Sequence, residues 1–159
     1  MREPLIRQEA ALRASIAAAF VEPADPPAIT LRAGNALDDY AAPPPWDAAL
    51  DTPDTAYLES NCWGLTHLDA ESWRYYLPIL MRHALDRFRE RAPSMSTDTL
   101  LFSLRPPDRD PPRFAMLSPE QNAAVSQFLD LLAFDPRSMY TDDAMTAMEE
   151  YWAPGATYR

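Results

Sequence analysis

Asp69-Ala-Glu-Ser-Trp-Arg-Tyr-Tyr-Leu-Pro-Ile-Leu-Met-Arg-His-Ala-Leu-Asp-Arg-Phe-Arg-Glu-Arg91 is the stretch on which the fold turns. Asp69 precedes a helix-compatible run, and a short carboxylate there accepts an amide proton the first turn cannot bond internally. Leu77, Leu80, Met81, Ala84, Leu85 and Phe88 recur at helical spacing. Arg82, Asp86, Arg87, Arg89 and Glu90 fall on the opposite face, so the pattern is that of an amphipathic helix. Trp73 and Tyr76 lie three apart and share the apolar face with Leu77 and Leu80, which places them in the core. Tyr75 points elsewhere and is the better candidate for an exposed contact. Pro78 has no N–H, and its ring crowds the Arg74 carbonyl, so a kink or a restart is expected there.

Outward from this segment the same period recurs. Leu5, Leu12, Ile16, Ala19 and Phe20 mark a first helix, which the prolines at 23, 26 and 27 cannot continue. Asn35 is a plausible cap for a short helix through Tyr40. Pro43-Pro44-Pro45 forms a stiff spacer, read as a covering loop that delivers Trp46 to the core. Residues 53–62 suit a helix with Asp51 or Thr52 ahead of Pro53, closed by Gly64. Thr97 or Ser96 can cap a segment from Asp98 to Leu104, with helix favoured over a buried strand. Ser118-Pro119-Glu120-Gln121 combines a capping serine, proline at the first helical position and glutamine at the third. Val125, Phe128, Leu129 and Leu132 then form one face. Thr141 caps a last helix carrying Asp142 and Asp143 in its first turn, with Ala144, Met145, Met148, Tyr151 and Trp152 as its stripe. The expectation is a mainly α, single-domain irregular helical bundle over residues 1–159, with proline-rich connecting loops. An α+β variant follows if residues 28–32 and 100–104 pair as strands.

The chain has 159 residues, 47% of them hydrophobic, enough for one core without staples. One cysteine excludes an internal disulfide. No apolar run approaches the roughly 18 residues of a membrane span. Ala14–Val21 is too short and alanine-rich for a signal peptide, and Glu3 and Glu9 sit where that peptide would be basic. A cytoplasmic protein is expected, which also suits the free thiol of Cys62.

The net charge is −10, and all 14 basic residues are arginine. Residues 21–72 sum to −9 and residues 73–113 to +3. A surface of this sign repels a phosphate backbone, so direct nucleic-acid binding is disfavoured. It does attract basic proteins. The paired acids Asp38-Asp39, Asp142-Asp143 and Glu149-Glu150 are the candidate partner-binding residues.

Chemistry is harder to find. Cys62-Trp63 is like the start of a cysteine-protease site, but no histidine follows His83, and the surrounding glycine pattern is missing. Glu59, Cys62, His67 and His83 could ligate a metal by type, yet their spacing matches no metal motif. Three glycines in total leave no phosphate-cradling loop. No catalytic residue, metal or cofactor is therefore expected.

The run Leu68-Asp69-Ala70-Glu71-Ser72-Trp73-Arg74-Tyr75-Tyr76-Leu77-Pro78, then Leu117-Ser118-Pro119-Glu120-Gln121, then Tyr151-Trp152, resembles a family of small bacterial proteins of unknown function. In that family a Tyr-Tyr-Leu-Pro core precedes a Leu-Ser/Thr-x-x-Gln helix start and a terminal Tyr-Trp helix. The resemblance implies a small, mainly helical, cytoplasmic bacterial protein. It carries over no catalytic residue. The functional expectation is a non-enzymatic acidic binding protein with a basic protein partner, such as an immunity-type inhibitor of a basic bacterial toxin. One alternative is a self-associating structural or regulatory protein, a homodimer joined through Met145, Met148 and Trp152. The other is a small enzyme with a site near Cys62, His67 and His83.

Overall fold

A computed structural model describes residues 2–159, the side chain of Arg2 excepted. It contains seven α-helices: α1 (Arg2–Ala19), α2 (Leu31–Asp38), α3 (Thr55–Asn61), α4 (Ala70–Glu90), α5 (Met95–Ser103), α6 (Pro119–Phe134) and α7 (Thr141–Ala147). A 3-10 segment, Cys62–His67, follows α3, and a π turn, Met148–Trp152, follows α7. No strand occurs among the described residues. Residues 28–32 and 100–104 do not pair; Leu31 and Leu100 lie inside helices.

The central helix, α4, is capped by Asp69, whose Oδ1 accepts from the Ser72 amide at 3.3 Å. It ends on Arg91 in the left-handed conformation, φ 55°. It does not restart at Pro78; one assigned helix runs through the proline. The missing amide costs one helical hydrogen bond, whereas Trp73, Tyr76, Leu77, Leu80, Met81 and Leu85 around it are almost wholly buried. Leu12, Ile16 and Phe20 of the first helical stretch join the same core. Glu9 of α1 is also buried, and its carboxylate takes Arg13 at 3.1 Å and Arg89 of α4 at 2.9 Å. The capping box at Ser118 is fully formed, and the Gln121 amide reaches across to donate to the Ala19 carbonyl.

Several boundaries differ from the sequence reading, each through a contact distant in sequence or a nearer cap. Thr30, not Asn35, starts α2, its hydroxyl accepting from the Ala33 amide at 2.9 Å. Asp54 caps α3, which leaves Pro53 outside the helix. Ser94 caps α5 three residues earlier than Thr97 would. Thr141 is the first residue of α7 rather than its cap, and Tyr140 at the cap position offers no side-chain bond. Gly64 does not end α3. It lies inside the 3-10 segment, back to back with Gly34 of α2, and both backbones fill the space a Cβ would need.

Trp46 is half-buried and outside the core, so the proline spacer does not deliver it. The loop is held instead by Asp51, which is fully buried. Its carboxylate accepts from Arg32 at 3.1 and 2.8 Å, the Tyr57 hydroxyl at 2.8 Å and the Asp47 amide at 2.8 Å. Burial pushes its pKa up, but these hydrogen bonds prevail and hold it below the usual carboxylate range. The connection from α5 to α6 is organised by Asp108 in the same manner. Its carboxylate accepts from the amides of Arg109, Arg113, Phe114 and Ala115. Phe114 then packs on Trp73, Tyr151 and Trp152 with centroids 5.8, 4.9 and 5.2 Å away.

Candidate functional site

The groove between the 3-10 segment, α5 and α7 brings together three exposed apolar side chains, Trp63, Met95 and Phe102. Cys62 and Leu65 of the 3-10 segment point inward and are buried, whereas Trp63 is 52% exposed. On α5, Leu100 and Leu101 are buried, while Met95, Asp98 and Phe102 follow at i, i+3 and i+7 and form an outer stripe. Trp63, Met95, Asp98 and Phe102, with Arg105 and Asp143 of α7, line an open groove of about 500 Å³.

The placement of α5 depends on a buried polar knot. Glu59 accepts from His83 Nε2 at 2.8 Å, the Ser94 hydroxyl at 2.7 Å, and the amide and hydroxyl of Ser96, each at 3.2 Å. Burial works to raise the Glu59 pKa; the bonds from His83, Ser94 and Ser96 outweigh it and bring it down to about 2. The α5 capping serine is thus tied to α3 and α4 at once.

The groove's electrostatics are lopsided. Asp98 and Asp143 have no ion-pair partner among the described residues. Burial, then Asp143, then Glu59 push the Asp98 pKa above its ordinary value. Arg105, a cation lining the groove, is paired with Glu150 at 2.7 Å. Asp98 did not stand out in the sequence, where it reads as an ordinary first-turn acid.

The six acids named from sequence do not form one site. Asp38 ends α2 and bonds His67 at 2.8 Å, while Asp39 follows it, exposed. Asp142 and Asp143 are exposed in the first turn of α7, and Asp143 alone reaches the groove. Glu149 is exposed, and Glu150 is engaged by Arg105. Of the three residues named for self-association, Met145 is exposed and Met148 half-buried, while Trp152 is 2% exposed and its indole N–H donates to the Leu104 carbonyl.

Cys62, His67 and His83 are separately employed. The Cys62 thiol is buried, bonds the Glu59 carbonyl at 3.5 Å and is pushed up in pKa by burial. His83 bonds Glu59 and His67 bonds Asp38; no hydrogen bond joins either histidine to the thiol among the described residues. No cluster of three or more His, Cys, Asp or Glu suited to a metal occurs among the described residues. No described helix is long and apolar enough to cross a membrane.

A second pocket, of about 630 Å³, borders Arg105, Arg109 and Arg113. Arg113 is 2% exposed, and its Nη2 donates to the carbonyls of Leu65, Thr66 and Leu68, closing the end of the 3-10 segment. Burial and then Arg109 bring its pKa down to about 10. Its role is to satisfy buried carbonyls.

Residues 8–156 match the model of a family of unknown function, DUF6714. The chain belongs to that family. No curated protein and no solved structure matches it.

Proposed function

We propose that this DUF6714 protein is a non-enzymatic acidic binding protein that recognises a basic protein partner, in the manner of an immunity-type inhibitor of a basic bacterial toxin. The observation that carries the reading is its unneutralised exterior. At a net charge of −10, Asp39, Asp98, Asp142, Asp143 and Glu149 are exposed without a cation partner among the described residues. Such a field accelerates encounter with a cationic surface and discourages anionic ones. The burial of Cys62 and the separate engagement of His67 and His83 favour binding over nucleophilic chemistry. Partners are captured from the source cell on immobilised protein at low and high salt. A basic polypeptide is expected, lost at high salt and held less by a variant with Asp39, Asp142, Asp143 and Glu149 changed to Arg. Capture of nothing basic, or equal retention by the reversed variant, refutes the reading.

A further inference from the structure

Helix α5 is apolar on two sides. Its inner side is spent on the core, and its outer side leaves Met95 46% and Phe102 65% exposed beside Trp63. Single exposed apolar residues are ordinary, but three large ones around one groove are the usual mark of a contact surface. Asp98 and Asp143 line the same groove, and Arg105, the one arginine lining it among the described residues, already serves Glu150.

We propose that this groove binds an arginine-bearing apolar segment of a basic protein, its aliphatic or aromatic side chain against Trp63 and Phe102 and its guanidinium held by Asp98 and Asp143. The inference rests on the acidic-binding reading above and names its site. Charge complementarity selects the occupant. Asp98 lies close enough to Asp143 and Glu59 to feel both, and a cation entering the groove relieves that repulsion. A guanidinium suits the site better than an ammonium, since it is planar, bonds carboxylates in a fork and stacks on indole faces. A second copy of this chain fits poorly, because it would bring another −10 against the same acids.

The test uses the whole protein and the peptide acetyl-Arg-Leu-Arg-Phe-amide, with Lys and Glu replacing both Arg residues as comparisons. Binding is followed by NMR at the tryptophan indole protons, with Trp63 assigned through Trp63→Phe. The expected result is a saturable shift confined to Trp63, weaker with the lysine peptide and absent with the glutamate peptide. The double variant Asp98→Asn and Asp143→Asn should bind about tenfold less tightly. These side chains are exposed, so its melting temperature should match the parent. No saturable shift at Trp63, or equal affinity in the double variant, overturns the proposal. So does self-association abolished by Phe102→Ala, which would give the groove to a second copy. If the capture experiment yields a basic polypeptide that the double variant holds as tightly as the parent, the groove is wrong while the acidic-binding reading stands.

Discussion

Gly34→Ala tests the close backbone approach of α2 to the 3-10 segment. Alanine is the better helix former, and in an exposed interior the change would stabilise by about 1 kcal/mol. Here a Cβ on Gly34 would lie 2.9 Å from both the carbonyl carbon and Cα of Gly64, and nearer still to its carbonyl oxygen. These are backbone atoms and cannot rotate aside. Ordinary contact requires α2 and the 3-10 segment to part by about an ångström, through a core already filled by Leu31, Leu65 and Tyr76. Overpacking typically costs about 1–3 kcal/mol where side chains can shift; here, where only backbone can yield, about 3–5 kcal/mol is expected. Net of the propensity gain, a loss of roughly 2–4 kcal/mol is expected, or roughly 5–15 °C in a domain of this size. Circular dichroism on heating and a urea titration read it, the midpoint falling with the slope unchanged. Gly64→Ala meets the Leu31 carbonyl and the Asn35 amide, so the two changes should be less than additive. Trp63 adjoins Gly64, so either change should also move its fluorescence. An unchanged or raised melting temperature for Gly34→Ala would refute the close approach.

Glu59 makes stability sensitive to acid. Its folded pKa of about 2 lies below the ordinary 4.5, so its contribution is fully present above that ordinary value and disappears as pH falls toward 2. Glu59→Gln should lower stability at neutral pH by roughly 2–3 kcal/mol and flatten the decline in that window, checked by denaturation at stepped pH. Arg113→Met should cost roughly 2–4 kcal/mol in urea titrations, because the carbonyls of Leu65, Thr66 and Leu68 lose their shared donor. Ser118→Ala should remove about 1 kcal/mol with the capping box, seen as a drop of a few degrees in melting temperature.

What the sequence made legible was local. Asp69 and Ser118 each bond an amide three residues on, and such bonds are visible in a one-dimensional pattern. The stripes of α4 and α6 were equally plain, since one buried face repeats at helical period. What escaped it depends on partners far along the chain. Gly64 reads as a helix stop until Gly34 is known to lie against it. Trp46 reads as a core residue, yet Asp51 holds its loop, through Arg32 nineteen positions away. The candidate site divides likewise. Its charge is countable, and Asp143 belongs to one of the paired acids. Asp98, Trp63 and Phe102 become a site only when α5 is laid across the 3-10 segment, with its outer side left bare.

The single carboxylate that gathers four amides after α5 has a mechanical corollary. A connection so bracketed is a strut and not a tether. Residues 108–115 cannot open without stripping Asp108 of its donors together and drawing Phe114 from among the rings it touches. The link from α5 to α6 thus behaves as one stiff piece, pinned through Phe114 to α4 and to the closing π turn.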